Sequence, residues 1–353
     1  MFSFLKPLIF GLDPEVAHDL AIKSLKLNVI PENLFEVEDE KMLETKFLKN
    51  KMKNPIGMAA GFDKSAEVYN PLFKLGFGFV EVGTITPKKQ LGNPKPRIFR
   101  LEEDEALINR LGFNNDGLEV ITKRLEEGKL KKQGILGVNV GPNYDSNSFE
   151  NDFLKCISSL VKLSLADYIT INISSPNTEN LRDFHDENKL DSLMNEINKQ
   201  KKELQSNNIP IFLKVSPDIK DYSIEKISEV IINQNIEGLI LTNTTNLSRS
   251  SLKSSNKNQV GGLSGKPLTE LSNKIIKKFY KKLRGKTFII GVGGVDSGQS
   301  AFEKISAGAN AVQLYTGMIY KGPGIAKEIK KDLINILRKE KIKNIEEAVG
   351  INS

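Results

Sequence analysis

Two adjacent serines and nearby asparagines at the end of an apolar run are the first candidates for chemistry in this sequence. The stretch YITINISSPNT, residues 168–178, begins as a strand-like run and ends in Ser174, Ser175, a proline and Asn177. Such hydroxyl and amide groups can hold a polar ligand or transfer a proton at the end of a buried strand. A free serine hydroxyl is a weak base, so this chemistry needs help from elsewhere in the chain.

Other catalytic side chains are scarce. The 353 residues contain two histidines, His18 and His185, one cysteine, Cys156, and no tryptophan. These counts argue against a Ser-His-Asp triad and a zinc site, and no metal is expected. One cysteine cannot form an internal disulfide, which favours a reducing compartment. Because Cys156 lies in the helix-like run FLKCISSLVKL, we predict that it is a core residue.

The charge pattern and the apolar runs limit the possible partners. The net charge of +7 comes from 51 basic and 44 acidic residues, and the lysines are scattered rather than clustered. This pattern argues against nucleic-acid binding and fits mild attraction to an anionic membrane or substrate. No apolar run reaches the roughly 20 residues of a membrane span. The early run PLIFGL is cut by Asp13 and Pro14, so a cleaved signal peptide is not expected.

Short β-branched or apolar runs recur along the chain and alternate with helix-like segments. The eight runs are residues 56–60, 79–83, 135–140, 168–173, 211–215, 238–242, 288–292 and 311–315. Between them, apolar residues recur every three or four positions, as in amphipathic helices. Eight such units, with strands apolar on both faces, predict an α/β fold, a closed parallel (β/α)8 TIM barrel. A doubly wound open sheet is the alternative.

A barrel places its active site at the carboxyl ends of its strands, so polar residues should gather there. In chain order, the candidates at or near these ends are Lys64, Thr84, Asn139, Asn172, Ser175, Asn177, Lys214, Thr242, Asn243, Thr244, Gly293, Gly294, Tyr315, Thr316 and Gly317. Each of these residues alone has an ordinary structural explanation, such as a tight turn or a surface lysine. Together they predict a single pocket.

Lys214 and the glycines indicate what this pocket binds. Lys214 lies inside the apolar run IFLKV, where an unpaired charge is costly, so an anionic or electron-rich partner is expected. Gly293 and Gly294 leave backbone N–H groups free, and with Thr316 they predict the phosphate site found in many barrels. The asparagines suit a planar ring whose edge donates and accepts hydrogen bonds. Flavin mononucleotide (FMN) has such a ring and one phosphate.

Longer motifs carry a resemblance to a known family. NISSPNT, AAGFDK, GTITPKKQLGNPKPRIFRL, INRLGFNNDG, LTNTT, GGLSGKPL and GVGGVDSGQSAFEKISAGANAVQLYTG resemble the dihydroorotate dehydrogenases, in particular the membrane-associated, quinone-reducing class 2. The resemblance extends from LDPEVAHDLAIKSL to GPGIAKEI. It implies an FMN-binding barrel that oxidises (S)-dihydroorotate to orotate in pyrimidine (UMP) biosynthesis and reduces FMN and then a membrane quinone.

The resemblance also implies roles for individual residues. Flavin contacts would fall on Ala60, Gly61, Phe62, Asp63, Lys64, Thr84, Asn139, Asn172, Lys214, Thr242, Gly265, Gly294, Tyr315 and Thr316. Substrate contacts would fall on Lys64, Asn109, Arg110, Leu111, Gly112, Phe113, Asn172, Asn177, Asn243 and Thr244. The catalytic base would be Ser175, where the soluble classes use cysteine, whereas Ser174 would be a structural hydroxyl at the strand end.

Residues 1–43 form a predicted helical extension that precedes the barrel, which would span residues 44–353. Asp13 is a good N-cap with Pro14 at the first helical position, and one helical face then carries Val16, Ala17, Leu20, Ala21 and Leu25. Packing onto the barrel explains part of this face. The resemblance implies that the extension lies in the membrane interface and forms the quinone tunnel, with His18 and Arg100 near its mouth. We therefore expect a peripheral protein on the cytoplasmic side of the bacterial inner membrane.

The segment TENLRDFHDENKL, residues 178–190, is charged and turn-rich, so it could be a lid over the substrate or an ordinary surface loop. His185 within it is expected to be solvated rather than catalytic.

Two other functions compete with the dehydrogenase. One is a barrel lyase that uses Lys214 as a Schiff base on a sugar phosphate, and the other is a non-catalytic membrane-binding barrel.

Overall fold

The computed structural model describes residues 2–27, 41–178, 180–204, 209–247 and 249–353. The strands are β1 (Thr45–Phe47), β2 (Asn50–Met52), β3 (Ile56–Met58), β4 (Phe79–Ile85), β5 (Ile98–Leu101), β6 (Ala106–Asn109), β7 (Ile135–Val140), β8 (Tyr168–Asn172), β9 (Ile211–Val215), β10 (Gly238–Leu241), β11 (Gly262–Gly265), β12 (Phe288–Val292) and β13 (Ala311–Leu314). Strands β3, β4, β7, β8, β9, β10, β12 and β13 pair in parallel in this order, and β13 pairs with β3 to close a barrel. The prediction of a closed TIM barrel is therefore confirmed, and the open sheet is wrong.

The helices comprise an N-terminal pair and those that lie between or after the barrel strands. They are α1 (Phe2–Phe10), α2 (Pro14–Lys26), α3 (Tyr69–Lys74), α4 (Leu118–Gly128), α5 (Phe149–Lys162), α6 (Glu187–Glu203), α7 (Asp221–Asn233), α8 (Thr269–Leu283), α9 (Gly298–Ser306), α10 (Thr316–Lys321) and α11 (Ile325–Lys339). Short 3-10 helices are Lys41–Leu43, Glu102–Asp104, Lys129–Lys131, Leu181–His185, Ser255–Asn258, Lys266–Leu268 and Ile345–Ala348. Cys156 is buried on α5, as predicted.

Each predicted run overlaps one barrel strand, and only the boundaries differ. The run 56–60 leaves the strand at Met58, whereas β4 continues two residues past the predicted end at Gly83. These differences lie at the carboxyl ends of the strands, where the chain leaves the hydrogen-bonded sheet to form the predicted site. Strands β5, β6 and β11 were not predicted, and they form a separate antiparallel sheet in the order β11-β6-β5.

Aromatic side chains fill the amino-terminal end of the barrel. Phe79, Tyr168, Phe212 and Phe288 begin or nearly begin their strands, and Phe47 from the β1–β2 hairpin lies among them, with ring centroids 4.8–5.9 Å away. Glycines make the room for these rings inside the barrel. A Cβ at Gly57 would lie 2.4 Å from the ring of Phe79, and one at Gly137 would lie 2.1 Å from that of Tyr168. The hairpin therefore closes the barrel end opposite the predicted site.

Helix α2 docks beside the start of the antiparallel sheet through a buried ion pair. Asp13 caps the helix as predicted, because its carboxylate accepts hydrogen bonds from the backbone N–H groups of Glu15 and Val16 at 2.9 and 3.1 Å. Glu15 is buried and accepts a hydrogen bond from Arg97 Nη2 at 2.6 Å. Because Arg97 is also buried, this ion pair holds α2 against the residues that lead into β5.

The predicted apolar face of α2 is divided between the barrel and the solvent. Leu25 is buried, whereas Val16 and Leu20 are 52% and 51% exposed. Helix α1 has no buried residue, and its Phe4 and Leu8 are 85% and 74% exposed. The sequence predicted one apolar face on α2. Because the helix is buried at Glu15 and Ile22, part of this face points to the solvent. Residues 28–40 of the predicted extension lie outside the described residues, and no helix in the described ranges is long and apolar enough to cross a membrane.

Candidate active site

A cavity of about 1200 Å³, its open mouth included, lies at the carboxyl ends of the barrel strands. Loops after most barrel strands and the antiparallel sheet form its wall. From the predicted set it is lined by Ala60, Gly61, Lys64, Thr84, Asn109, Leu111, Gly112, Phe113, Asn172, Ser175, Asn177, Lys214, Thr242, Asn243, Thr244, Gly265, Gly294, Tyr315 and Thr316. The barrel therefore brings these separate motifs to one place.

The two serines that follow β8 have different surroundings. Ser175 lines the cavity, and its Oγ accepts a hydrogen bond from the backbone N–H of Asn177 at 3.3 Å. Ser174 is fully buried. Its Oγ donates to Asn172 Oδ1 at 3.0 Å and accepts from Asn243 Nδ2 at 2.9 Å. The hydroxyl of Ser174 is thus held by protein groups, whereas Ser175 presents the hydroxyl that can meet a ligand.

Lys64 lines the cavity and contacts a histidine of the N-terminal extension. Its Nζ atom lies 3.0 Å from His18 Nε2. Burial lowers the pKa of Lys64 to about 8. Burial, followed by the charge of Lys64, lowers the pKa of His18 to about 3, so His18 is neutral near neutral pH. The His18 ring also packs edge-on against Phe62 and Tyr315, with centroids 5.3 and 6.4 Å away.

Arg100, the other predicted quinone-site residue, holds the turn between α1 and α2. Its Nη1 donates to the backbone carbonyl oxygens of Phe10 and Leu12 at 3.1 and 2.8 Å. Its guanidinium lies 4.8 Å from the ring centroid of Phe10, in a cation–π contact. Burial lowers the pKa of Arg100. The structure therefore connects both predicted residues to the N-terminal helices.

Lys214 reaches the cavity from the interior of β9. It is buried, and its ammonium forms no hydrogen bond with the described residues. Burial lowers its pKa, and the negative charge of Glu81 opposes this effect. Nearby on the cavity wall, Gln313 has a buried side-chain oxygen, Oε1, without a partner. Buried polar groups are rarely left unpaired, so both atoms mark places where a polar ligand fits.

Glycines at the ends of β11 and β12 allow a ligand to approach the backbone. Gly265 and Gly294 have φ values of +98° and +79°, which favour glycine. A Cβ at Gly294 would lie 1.9 Å from Thr269 Oγ1, so no other residue fits there. Thr316 Oγ1 lies 2.9 Å from Ser264 Oγ beside this turn. The amide-rich backbone fits an anionic group such as a phosphate.

Comparison with known proteins identifies the family. A sequence profile described as dihydroorotate dehydrogenase matches residues 42–337. The chain belongs to the dihydroorotate dehydrogenase family. It is 47% identical over 343 residues to a Bartonella tribocorum protein named dihydroorotate dehydrogenase (quinone). This alignment covers 96% of this chain and 93% of that protein. The mitochondrial mouse protein of that name is 42% identical over 348 residues, and this alignment covers 97% of this chain and 87% of the mouse protein.

Solved structures agree with this family. The crystal structure titled DHODH in complex with ferulenol, from Eimeria tenella, superimposes with a TM-score of 0.91 at 39% identity. The superposition covers 98% of each chain. A ligand-free structure of the DHODH from the same organism gives a TM-score of 0.90 at 40% identity. The likeness to dihydroorotate dehydrogenases therefore extends to the N-terminal helices as well as the barrel.

Asp63, which the resemblance to dihydroorotate dehydrogenases assigned to flavin binding, does not border the cavity. Its buried carboxylate accepts hydrogen bonds from the backbone N–H groups of Glu67 and Val68, both at 2.7 Å. Its carbonyl oxygen accepts a further one from Gly83 N at 2.9 Å. Phe62 likewise faces His18 rather than the cavity. The side chains of both residues shape the loop after β3, and a flavin contact of either residue stays a prediction.

The guanidinium of Arg110, a residue that the resemblance assigned to substrate binding, also points away from the cavity. Its guanidinium donates to the carbonyl oxygens of Pro96 and Val260 at 2.9 and 3.0 Å. It also stacks over the ring of Phe99 at 4.6 Å. Because all these partners lie outside the cavity lining, the guanidinium of Arg110 stabilises the antiparallel sheet, and a substrate contact of this residue stays a prediction.

Asn139 lies one layer below the cavity, in a buried network that the sequence did not reveal. Its Nδ2 donates to Glu81 Oε1 at 2.9 Å, and its Oδ1 accepts from Thr84 Oγ1 at 2.6 Å. Glu81 also accepts from Tyr168 and Gln313 at 2.9 and 3.2 Å. This fully buried carboxylate therefore orients the layer that supports the site of the dehydrogenase. Its position in the apolar run FVEVG was the only available signal.

The predicted lid is more structured than a loop. Leu181–His185 is a 3-10 helix, and α6 begins at Glu187, while Glu179 lies outside the described residues. Arg182 Nε donates to the carbonyl oxygen of Ser174, and its Nη1 donates to Asp218 Oδ2, both at 3.3 Å. His185 is half-buried rather than fully solvated, because its Nε2 is buried without a partner among the described residues, and burial lowers its pKa to about 4.

Proposed function

We propose that this chain oxidises (S)-dihydroorotate to orotate and transfers the electrons through FMN to a membrane quinone, in the de novo synthesis of UMP. The observation that carries the proposal is the cavity of a dihydroorotate dehydrogenase fold in which Lys64, Ser175 and Lys214 converge. FMN, when bound, supplies the hydride acceptor. The residues of the chain supply binding, orientation and proton transfer.

The cavity fits FMN at both ends of the cofactor. The unpaired ammonium of Lys214 suits the electron-rich ring system and would stabilise negative charge on its reduced form. The unpaired Oε1 of Gln313 can accept a hydrogen bond from the ring edge. Gly265, Gly294 and Thr316 would hold the phosphate. A barrel lyase would instead require Lys214 to be free for attack on a carbonyl, and such a protein would be colourless.

Ser175 is the proposed catalytic base. Oxidation moves a hydride from the carbon that bears the carboxylate and a proton from the neighbouring methylene, and Ser175 Oγ would take that proton. The backbone N–H of Asn177 donates to this oxygen at 3.3 Å, so it can stabilise developing negative charge there. Ser174 cannot replace it, because its hydroxyl is already held by Asn172 and Asn243.

Lys64 and the amide side chains would orient the substrate. The Lys64 ammonium suits the substrate carboxylate, and the side chains of Asn109, Asn177 and Asn243 can donate to and accept from the pyrimidine edge. The segment 178–190 would close over this assembly and exclude water. Its support is Arg182, which connects the segment to the carbonyl oxygen of Ser174 and to Asp218.

The N-terminal helices are the proposed membrane and quinone surface. Phe4, Leu8 and Leu20 are exposed and apolar, and Lys6 lies among them on α1, a combination that suits an anionic lipid interface. Quinone would enter beneath α1 and α2, toward His18 and Arg100. We place the protein peripherally on the cytoplasmic side of the inner membrane.

A pair of half-reactions tests the proposal. Under anaerobic conditions, dihydroorotate should bleach the flavin absorbance of the purified protein, and a quinone should restore it. Fumarate and NAD serve as control oxidants and should restore it poorly. A colourless protein, or reoxidation by NAD or fumarate in preference to quinone, would contradict the proposed reaction.

A further inference from the structure

Lys304 is a fully buried lysine on α9 that does not line the cavity. Its Nζ donates to Ser272 Oγ at 3.0 Å and to Asn273 Oδ1 at 2.8 Å, both on α8. In the described parts of the chain it forms no ion pair with a carboxylate. Burial lowers its pKa to about 7. Its side chain crosses β12 at Gly291, where a Cβ would lie 2.5 Å from Lys304 Cγ. A buried cation of this kind is costly, so its contacts need an explanation.

Ser272 connects Lys304 to the cavity wall. The Oγ of Ser272 donates to the carbonyl oxygen of Val292 at 2.5 Å. An ammonium group has three donors and no acceptor. As long as Lys304 is charged, the Ser272 hydroxyl can only accept from it, so the hydroxyl proton is left for Val292. Lys304 therefore determines the direction of the hydroxyl.

The carbonyl of Val292 belongs to the peptide that begins the glycine turn. It accepts a second hydrogen bond from Thr242 N at 3.0 Å, and both residues line the cavity. Because a peptide group is planar, fixing this C=O also fixes the direction of the N–H of Gly293. Gly293 has a φ of +107°, and a Cβ there would lie 3.3 Å from Ser272 Cβ. Ser272 thus touches the turn that faces the ligand.

We infer that Lys304 is a positioning residue for the phosphate of the cofactor. Through Ser272 it orients the Val292–Gly293 peptide, so that the backbone amides of the glycine turn face the anion. The inference rests on the proposed FMN site, and it adds a residue in the outer helix layer to that site. Riboflavin has the same ring without the phosphate, so its binding does not depend on this chain of contacts.

The test compares FMN with riboflavin in the full-length chain. The flavin-depleted protein is titrated with each flavin, and quenching of flavin fluorescence gives the two dissociation constants. In Lys304→Met and in Ser272→Ala, the constant for FMN should rise by about tenfold or more, because a buried charge-assisted hydrogen bond is lost. The constant for riboflavin should stay unchanged. The double variant should bind FMN no more weakly than either single variant, since both changes break one chain of contacts.

Lys201→Met is the matched control. Lys201 is also a buried helical lysine, but it pairs with Glu237 at 3.7 Å, and neither residue lines the cavity. This variant should leave the ratio of the two constants unchanged. If Lys304→Met and Ser272→Ala weaken the binding of FMN and riboflavin equally, or weaken neither, Lys304 is only a packing residue and the inference fails. Failure of the unmodified protein to bind either flavin would instead overturn the proposed cofactor, and this inference with it.

Discussion

His18 Nε2 lies 3.0 Å from Lys64 Nζ, and this contact joins helix α2 to the wall of the cavity. His18 is neutral near neutral pH because its pKa is lowered to about 3, so its ring nitrogen can accept from the Lys64 ammonium. The helices that we assign to quinone access and the cavity that we assign to substrate therefore share a hydrogen bond. A change in the docking of α2 would reach the substrate site through this pair.

Lys64 predicts a pH dependence of orotate binding. Its pKa is lowered to about 8 by burial, so the ligand-free protein holds the ammonium below about pH 8 and loses it above. The carboxylate of orotate binds better to the charged form. Affinity should therefore fall as the pH rises through about 8, by up to about tenfold per pH unit. Calorimetric titration with orotate at a series of pH values measures it.

Two variants check the origin of this dependence. Lys64→Met should bind orotate weakly, without the decline above pH 8. His18→Leu removes the neutral acceptor of the ammonium, so the decline should begin at lower pH. An unchanged decline in Lys64→Met would mean that another group titrates.

Ser175→Ala should slow flavin reduction by dihydroorotate, because it removes the proposed proton acceptor while the contacts to the flavin remain. The expected loss is about 100-fold to 10,000-fold. Anaerobic stopped-flow absorbance measures the rate, and the bound flavin should be retained. Ser174→Ala is the matched control and should slow flavin reduction much less than Ser175→Ala does. The reverse ranking of the two serines would refute the assignment of the base.

Lys214→Met should lose flavin during purification. Its buried ammonium forms no hydrogen bond with the described residues, so the proposed flavin ring is its partner. The ratio of flavin absorbance to protein absorbance measures the occupancy. Lys220→Met, an exposed change in the loop after the same strand, should keep full occupancy. A fully yellow Lys214→Met protein with unchanged turnover would exclude this role.

Removal of residues 1–12 should separate the two half-reactions. Helix α1 has no buried residue, and the cut leaves Asp13 to cap α2. A cut after Leu43 would also remove Leu25 and Leu43, which are buried, and would threaten folding. Dihydroorotate should still bleach the flavin, while reoxidation by a long-chain quinone and binding to anionic vesicles should collapse. A small soluble oxidant should reoxidise the flavin of the truncated protein as fast as that of the intact protein.

Point variants provide the control for this truncation. Phe4→Ser with Leu8→Ser should weaken vesicle binding, because both side chains are exposed on α1. Leu130→Ser changes a side chain that is 98% exposed after α4 and should have no effect. Undiminished quinone turnover after the truncation would show that α1 is a packing element only.

Phe47→Ala should destabilise the fold by about 3–5 kcal/mol, the usual cost of removing a buried phenylalanine. The Phe47 ring contacts those of Phe79, Tyr168, Phe212 and Phe288 at the closed end of the barrel. Urea unfolding measures the change in the free energy of unfolding. Phe4→Ala, at an exposed position, should change it by less than about 0.5 kcal/mol. Similar values for both variants would exclude Phe47 as a core residue.

The barrel strands could be predicted because their signal is local. An apolar run of five or six residues between helix-like segments, such as ILGVNV in β7, carries its own pattern. Strands β6 and β11 could not be predicted this way, because Ala106 pairs with Gly265, more than one hundred residues later. Such pairing depends on how the loops cross the barrel mouth, and no short window of sequence contains it.

The site divides in the same way. Sequence motifs alone determined the family and most of the cavity lining, because residues at strand ends must meet in a closed barrel. Only the tertiary structure decided which side chains face inward: it turned Asp63 and Arg110 away and buried Glu81 beneath the site. It also paired Lys64 with His18 and Lys304 with Ser272. The physical reason is that a buried polar group must find a partner wherever the fold provides one, and distance along the chain does not limit that choice.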